Sequence, residues 1–361
     1  MYLKFLFNLI TYYLNVDSLL AVRGIEKTDV IILQDGNMEA IKNVGEKYGI
    51  ELIQNVQTVR LRGNVVNGAA RIAQHYKFSL STVFRVRPSA PACIIVEDDL
   101  LFSPDFLDYF KTIAPLIEKD PTVFIASAWN DNGFSGKVRD VYGLRRTEFF
   151  PGLGWLLSRQ LYIEELEPIW PSEHWDHWLR SDSISKGREI IYPQVPRSFH
   201  NGVIGTFMNV DTHNKYFRDI AFNRKNNVSW SSMAYLQVVE DVYEQRIREL
   251  INRCIHVLSV QDLLSESGLG KVHCVRINVN PEPLLNGFQE FETISEFFRL
   301  WHEHKRGAHR GVHEFYWKNR YVVILNIFDS VGRRAIGRFT NYRSLMPPSA
   351  RVIARNEFVL H

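Results

Sequence analysis

Cysteine is scarce: Cys93, Cys254 and Cys274 are the only three in 361 residues. A disulfide-dense scaffold is therefore excluded, and at most one intrachain bridge can form. No CxxC or Cys/His spacing occurs, which removes zinc-finger-type sites. Long hydrophobic runs are missing as well. The apolar opening, MYLKFLFNLITYYL, is interrupted at Asn8 and Thr11, whereas a membrane span needs about 20 apolar residues. No small-residue cleavage site follows it cleanly. It reads as a helix or strand of the fold, or as a misplaced start, rather than as a complete anchor. Charge of one sign is lacking too. Lys+Arg 43 against Asp+Glu 40 leaves a net +3, and with no long basic run nothing calls for a nucleic-acid partner. There are no internal repeats and no low-complexity segments.

What is present is ordinary globular composition, 45% hydrophobic and 23% charged, in a chain long enough for two domains. Aromatics reach 13%, which suits sugar-binding faces and well-filled cores equally. The pattern predicts a helix over 12–23 capped by Gly24, a strand at Val30–Leu33, a helix over 37–48 and a strand at Glu51–Asn55. A helix over Asn67–Phe84 and an all-apolar strand at Cys93–Val96 follow. Ser103-Pro104-Asp105 then starts another helix, with Ser103 as N-cap, before a strand at Val123–Ser127. Strands without polar alternation, separated by helices, imply an α/β fold with a mostly parallel sheet covered on both faces. Beyond Gly152 the pattern predicts a helix over Leu156–Glu167, a break at Pro168 to Pro171, and an aromatic turn at Trp175–Arg180. A charged amphipathic helix over 232–254 comes next. Strand-like runs at Val272–Val279 and Tyr321–Phe328, with a helix near 293–304, read as a smaller α+β lobe. Residues 1–254 are thus expected to form the main domain and 255–361 the C-terminal lobe.

Glu97, Asp98 and Asp99 sit together at the C-terminal end of the Cys93–Val96 strand, the edge at which open α/β sheets bind ligands. Three adjacent carboxylates repel one another, and a hard cation bridging to a diphosphate would neutralise them. Alternation sends Glu97 and Asp99 to one side and Asp98 to the other. The bland reading is a solvated acidic loop ahead of a helix N-terminus.

Four strings sharpen this: IIVEDDLLFSPDFLDYF, SAWNDNG, FFPGLGWLLSRQLYIEELEPIWP and HWDHWLR, in that order. Together they resemble the β-1,2-N-acetylglucosaminyltransferases that act on mannose, glycosyltransferase family 13, from about Tyr13 to Asn223 and more thinly beyond. One branch of that family acts on N-glycans and another on O-mannosyl glycans. SRQLYIEELEPIWP, PRSFHNGVIGTFMN and FFRLWHEHKRGAHRGVHEFYWKNRYVVIL favour the O-mannose branch, while SAWNDNG and FFPGLGWLL are as close to the other.

The resemblance implies a GT-A-like fold and an inverting, Mn²⁺-dependent transfer of GlcNAc from UDP-GlcNAc to a mannose of a glycoprotein. It also implies the Golgi lumen and a membrane attachment. Asp99 matches the Mn²⁺ ligand, with Glu97 and Asp98 as neighbours contacting donor sugar and ribose. Asp35 in LQDG matches a uridine-binding acid, and His75 in AQHYKFSL a histidine near the uracil. Leu153 and Trp175 match a pair packing on the donor GlcNAc, and Asp176 matches the general base. Taken singly, His75 would be a satisfied helix residue, Trp175 core and Asp176 a surface acid.

Three departures stand out. The stretch MYLKFLFNLIT has no Arg where the family carries a nucleotide-binding Cys-Asn/Asp-Arg turn, which implies weakened donor binding or a missing true N-terminus. No complete anchor or stem is visible. Ile125 and Ile190 replace two family cysteines, so both halves of an implied disulfide are gone together, and the two isoleucines should be buried against each other. The competing readings are a catalytically weak sugar- or nucleotide-binding homologue and a metal-dependent hydrolase.

Overall fold

The structure, a computed structural model, describes residues 9–56, 68–264, 272–279 and 287–326. Its helices, in chain order, are α1 Leu9–Leu20, α2 Glu39–Tyr48, α3 Gly68–Val86, α4 Phe106–Lys119, α5 Arg159–Leu161 and α6 Trp175–Leu179. They continue with α7 Asp182–Ser185, α8 Val210–Tyr216, α9 Glu240–Arg253, α10 Val260–Leu264 and α11 Gly287–Phe298. The last of these lies earlier than the 293–304 expected. Residues 1–8 of the apolar opening lie outside the described residues, and no described helix is long and apolar enough to cross a membrane.

A parallel pair, β1 Ile31–Asp35 and β2 Glu51–Asn55, leads the chain. The central sheet has the order β3-β7-β5-β8-β6, built from β3 Ala92–Ile95, β5 Val123–Ser127, β6 Leu144–Thr147, β7 Trp155–Ser158 and β8 Glu189–Pro193. β4 Leu100–Phe102 pairs antiparallel with β9 Ser198–His200. The α/β class follows the sequence reading, but the central sheet is mixed. β5 and β8 run parallel, whereas β7 enters antiparallel between β3 and β5, and β6 pairs antiparallel with β8. The segment Leu156–Ser158, expected to be helical, is part of β7. A short continuous apolar run fits a buried strand as well as a buried helix, and only pairing partners decide. The helix after Pro104 starts at Phe106 with Asp105 at its N-cap, two residues later than the Ser103 cap expected.

Alternation along the central strands sends successive side chains to opposite faces. Ile94, Ala126, Leu156 and Ile191 join one cluster with Val16 and Leu19 of α1, Phe106, Phe110 and Ile113 of α4, and Ile247 and Ile251 of α9. Ile95, Ile125, Leu157 and Ile190 join another with Tyr76, Leu80 and Phe84 of α3 and Trp175 and Leu179 of α6. The sheet is therefore covered on both faces. Ile125 and Ile190 are register partners across β5 and β8, both fully buried on the same face. Neighbouring strands stand about 4.7–4.9 Å apart, inside the Cα range of a disulfide. Two apolar side chains fill the site where the family's bridge would lie.

A second sheet, β10-β11-β13-β12, uses β10 Ile255–Val257, β11 Cys274–Val279, β12 Val312–Trp317 and β13 Arg320–Asn326. It begins at Ile255, where the proposed domain division falls. Cys254 and Cys274 form a disulfide across that point, while Cys93 is buried and free, its thiol pushed up to about 12 by burial. Two buried carboxylates fasten the sheets together. Glu314 on β12 pairs with Arg145 of β6 and Arg246 of α9. Glu189 on β8 accepts from Arg146 at 2.9 Å and lies 2.5 Å from His309 Nδ1. Removing one partner of such a pair leaves an uncompensated buried charge, which fixes how the two sheets dock.

Candidate active site

The end of β1, the β3–β4 turn, the loop Phe149–Gly154, α6 and the loop from His200 to Met208 surround a cleft of about 380 Å³. Asp35, Glu97, Asp98, Asp99, Leu153, Trp175 and Asp176 all line it. Residues from four separated segments thus meet at the sheet edge that the sequence nominated, with α3 and the His200–Met208 loop completing the wall.

β3 ends at Ile95, so the three carboxylates lie in a turn rather than on the strand. The alternation persists nonetheless: Asp98 is buried, while Glu97 and Asp99 are partly open. Glu97 accepts a short hydrogen bond from the Tyr76 hydroxyl. Burial, reinforced by the Glu97 charge, raises that phenol well above its ordinary value and keeps it a donor. Asp99 Oδ2 lies 3.1 Å from His200 Nε2. Burial alone would lower the His200 imidazole, but the adjacent Asp99 carboxylate outweighs it and raises it. The Asn201 amide donates to the Asp99 carbonyl at 2.7 Å. Asp99 Oδ1 is buried and has no hydrogen-bond partner.

The opposite wall is aromatic. Trp175 stacks on Tyr76 with centroids 3.8 Å apart and packs against Phe150, Trp155 and Trp170. The loop Gly152-Leu153-Gly154 has positive φ at all three residues, and Leu153 (φ 53) is the one with a side chain. Such a conformation costs about 1–2 kcal/mol for a non-glycine residue. The surroundings impose it: Ser127 Oγ donates to the Gly152 carbonyl at 2.8 Å and Ser198 Oγ to the Leu153 carbonyl at 2.6 Å. Leu153 thereby lines the cleft while its side chain also packs against the neighbouring core.

Asp176 sits in the first turn of α6, where Arg180 Nη1 donates to its Oδ2 at 2.7 Å. Asp35 is paired with Arg71 of α3 at 3.1 Å. His75 lies on α3. It is fully buried, its Nε2 is 3.2 Å from the Leu33 carbonyl of β1, and it is not on the cleft wall. It braces the strand that ends in Asp35. Sequence reading missed Arg71, Tyr76, Arg180 and His200. Only Arg180 carried a signal, its four-residue spacing from Asp176 on a helix; the other contacts join distant segments.

A hard or borderline cation fits at Asp99. The buried unpartnered Oδ1 is a free carboxylate ligand, with the His200 imidazole beside it as a second donor. No group of three or more His, Cys, Asp or Glu able to hold a metal occurs among the described residues, so a cation here would need oxygens from a ligand. Gly202 tests the fit. A Cβ at this position would stand 2.6 Å from Asp99 Oδ2 and 3.0 Å from Asp99 Cβ. Gly202→Ala should therefore displace the Asp99 side chain and weaken Mn²⁺-dependent UDP binding at least tenfold, with UDP binding in EDTA unchanged. Calorimetric titration with and without the metal checks this, and equal affinity to wild type with Mn²⁺ would refute the close approach.

Comparison with known proteins decides the family. The family model described as GNT-I family matches residues 11–329. The chain belongs to the GNT-I family. Among its relatives is the alpha-1,3-mannosyl-glycoprotein 2-beta-N-acetylglucosaminyltransferase of Arabidopsis thaliana, 33% identical over 313 residues, which cover 84% of this chain and 68% of the relative. This GNT-I member is accordingly a glycosyltransferase. Similar solved structures include GalNAc-T7 with UDP, GalNAc and Mn²⁺, at TM-score 0.38 and 12% identity, covering 68% of this chain and half of that one. S. aureus TarS matches at TM-score 0.37 and 12% identity over 82% of this chain and 79% of that one. Likenesses this distant add nothing to the assignment, which rests on the family match.

Proposed function

We propose that this GNT-I family member is an inverting transferase that moves GlcNAc from UDP-GlcNAc to the 2-hydroxyl of a mannose on a glycoprotein. The observation that carries the reading is that Asp99 and Asp176 face one cleft from different segments. Asp35 binds the uridine, and His75 acts from behind by bracing β1. Asp98 and Glu97 meet ribose and donor sugar, Glu97 being held by Tyr76. Leu153 and Trp175 pack on the GlcNAc. Asp176 takes the proton of the attacking mannose hydroxyl, whose oxygen bonds to the anomeric carbon as the bond to UDP breaks. Mn²⁺ bound at Asp99 would supply positive charge against the diphosphate as the leaving group gains charge.

For the acceptor we propose an O-mannosyl glycan, supported by the three strings that favour that branch. The 33%-identical relative, named for an alpha-1,3-mannosyl glycoprotein, supports an N-glycan mannose as the second reading. A Golgi-lumenal place and membrane attachment belong to the same proposal, and the Cys254–Cys274 disulfide suits an oxidising compartment. The test is product formation from UDP-GlcNAc and Mn²⁺ with an O-mannosyl peptide and with a mannose-terminated N-glycan. Transfer to the peptide in preference supports the first acceptor, and transfer to the N-glycan alone replaces it with the second. UDP binding without transfer to either would overturn the transferase reading.

A further inference from the structure

Asp176 does not stand free in the cleft. Arg180, one turn along, donates from Nη1 to Asp176 Oδ2 at 2.7 Å and from Nε to the Phe150 carbonyl at 3.0 Å. One guanidinium thus joins the carboxylate to the first residues of the loop that carries Leu153. That guanidinium also lies over the Phe149 ring, 4.6 Å from its centroid. A second guanidinium, Arg306 from the segment between α11 and β12, lies 4.3 Å from the same centroid. Arg306 is in turn fixed by Asp131 at 3.1 Å, by Glu303 at 2.6 Å and by the Trp301 ring at 3.8 Å.

We infer that Arg180 is the positioning residue of Asp176, and that the Phe149 ring, shared with Arg306 from the segment before β12, holds Arg180 in place. The inference rests on the reading of Asp176 as the base. Three features support it. The ion pair occupies Oδ2, which leaves the other carboxylate oxygen to meet an acceptor hydroxyl. Both Arg180 bonds are made by a planar fork whose geometry lysine cannot reproduce. Burial lowers the Arg180 guanidinium, with Asp176 opposing that fall, and Arg306 and Asp131 act on it with opposite signs. Around Asp176 stand Arg180, His174 and His177 on its own segment, Tyr76 on α3, which senses the Asp176 charge, and across the same cleft Asp35, Glu97, Asp98, Asp99 and His200.

The experiment uses the full chain and the variants Arg180→Gln, Arg180→Lys, Arg306→Gln, Asp176→Asn and the double Asp176→Asn/Arg180→Gln. It records kcat, donor KM and thermal unfolding. Arg180→Gln should lower kcat by about 10²-fold, the scale of a small misplacement of a catalytic group, with donor KM within twofold of wild type. Arg180→Lys should recover only part of kcat, because an ammonium keeps the charge but not the two-pronged geometry. Arg306→Gln should lower kcat less, in the same direction. In the Asp176→Asn background, Arg180→Gln should cost nothing further, since coupled residues are non-additive. A raised donor KM with intact kcat would make Arg180 a donor contact instead. A kcat loss that follows unfolding temperature and persists in the Asp176→Asn background would reduce it to a structural residue. Either result overturns the inference while leaving Asp176 as base. Normal turnover in Asp176→Asn would remove the base and this inference together.

Discussion

Replacing Asp99 by alanine should abolish transfer and remove Mn²⁺-dependent UDP binding. Asp99 offers a buried carboxylate oxygen with no internal partner, and no clustered set of three ligands elsewhere among the described residues could substitute. His200 would lose the carboxylate that raises its imidazole, so one substitution removes an anionic ligand and disturbs the neighbouring donor. The fold should survive, because Asp99 is partly open and lies in a turn. UDP binding with and without Mn²⁺, beside thermal unfolding, separates these outcomes. Near-normal UDP-GlcNAc turnover by Asp99→Ala would show that the cation, if used, sits elsewhere.

Asp176→Asn should leave donor binding intact and lower turnover by roughly 10²–10⁴-fold, the usual worth of a positioned acid or base. Asparagine keeps the size of the side chain and can still accept from Arg180, so α6 and its Trp175 should hold their places. What is lost is the ability to take a proton. The measurement is kcat against donor KM at saturating acceptor. A matching fall in donor affinity, with no separate effect on kcat, would point to a role in shaping the cleft.

The Asp176 assignment came from an ordered set of strings rather than from the residue itself, and the register that nominated it has an independent check. Ile125 and Ile190, matched to two cysteines of the family, are direct partners across β5 and β8. A slip of one residue would have placed them on opposite faces. The same strings were uninformative about Arg306, which reaches the Phe149 ring from more than 150 positions along the chain, and about His200, which meets Asp99 only because β9 pairs with β4. His75 shows the converse. Its string pointed to the nucleotide, but its ring nitrogen is 3.2 Å from a backbone carbonyl of β1.

By itself the sequence determined the α/β class, most element positions, the acidic turn after β3, the PGLG loop and the Trp175-Asp176 pair. The first three depend on local patterning, namely runs of buried apolar residues and carboxylates massed at one point, whereas the PGLG loop and the Trp175-Asp176 pair rest on the ordered strings shared with the family. Only the tertiary structure decided that β7 runs antiparallel through the centre of the sheet, that Cys254 and Cys274 pair, and that His75 stands behind the cleft. The same holds for Arg71, Tyr76, Arg180 and His200, each set against a predicted site carboxylate. Strand direction and side-chain partnership are settled by which distant segments bury the same surface, and one segment's periodicity carries no information about the other's place.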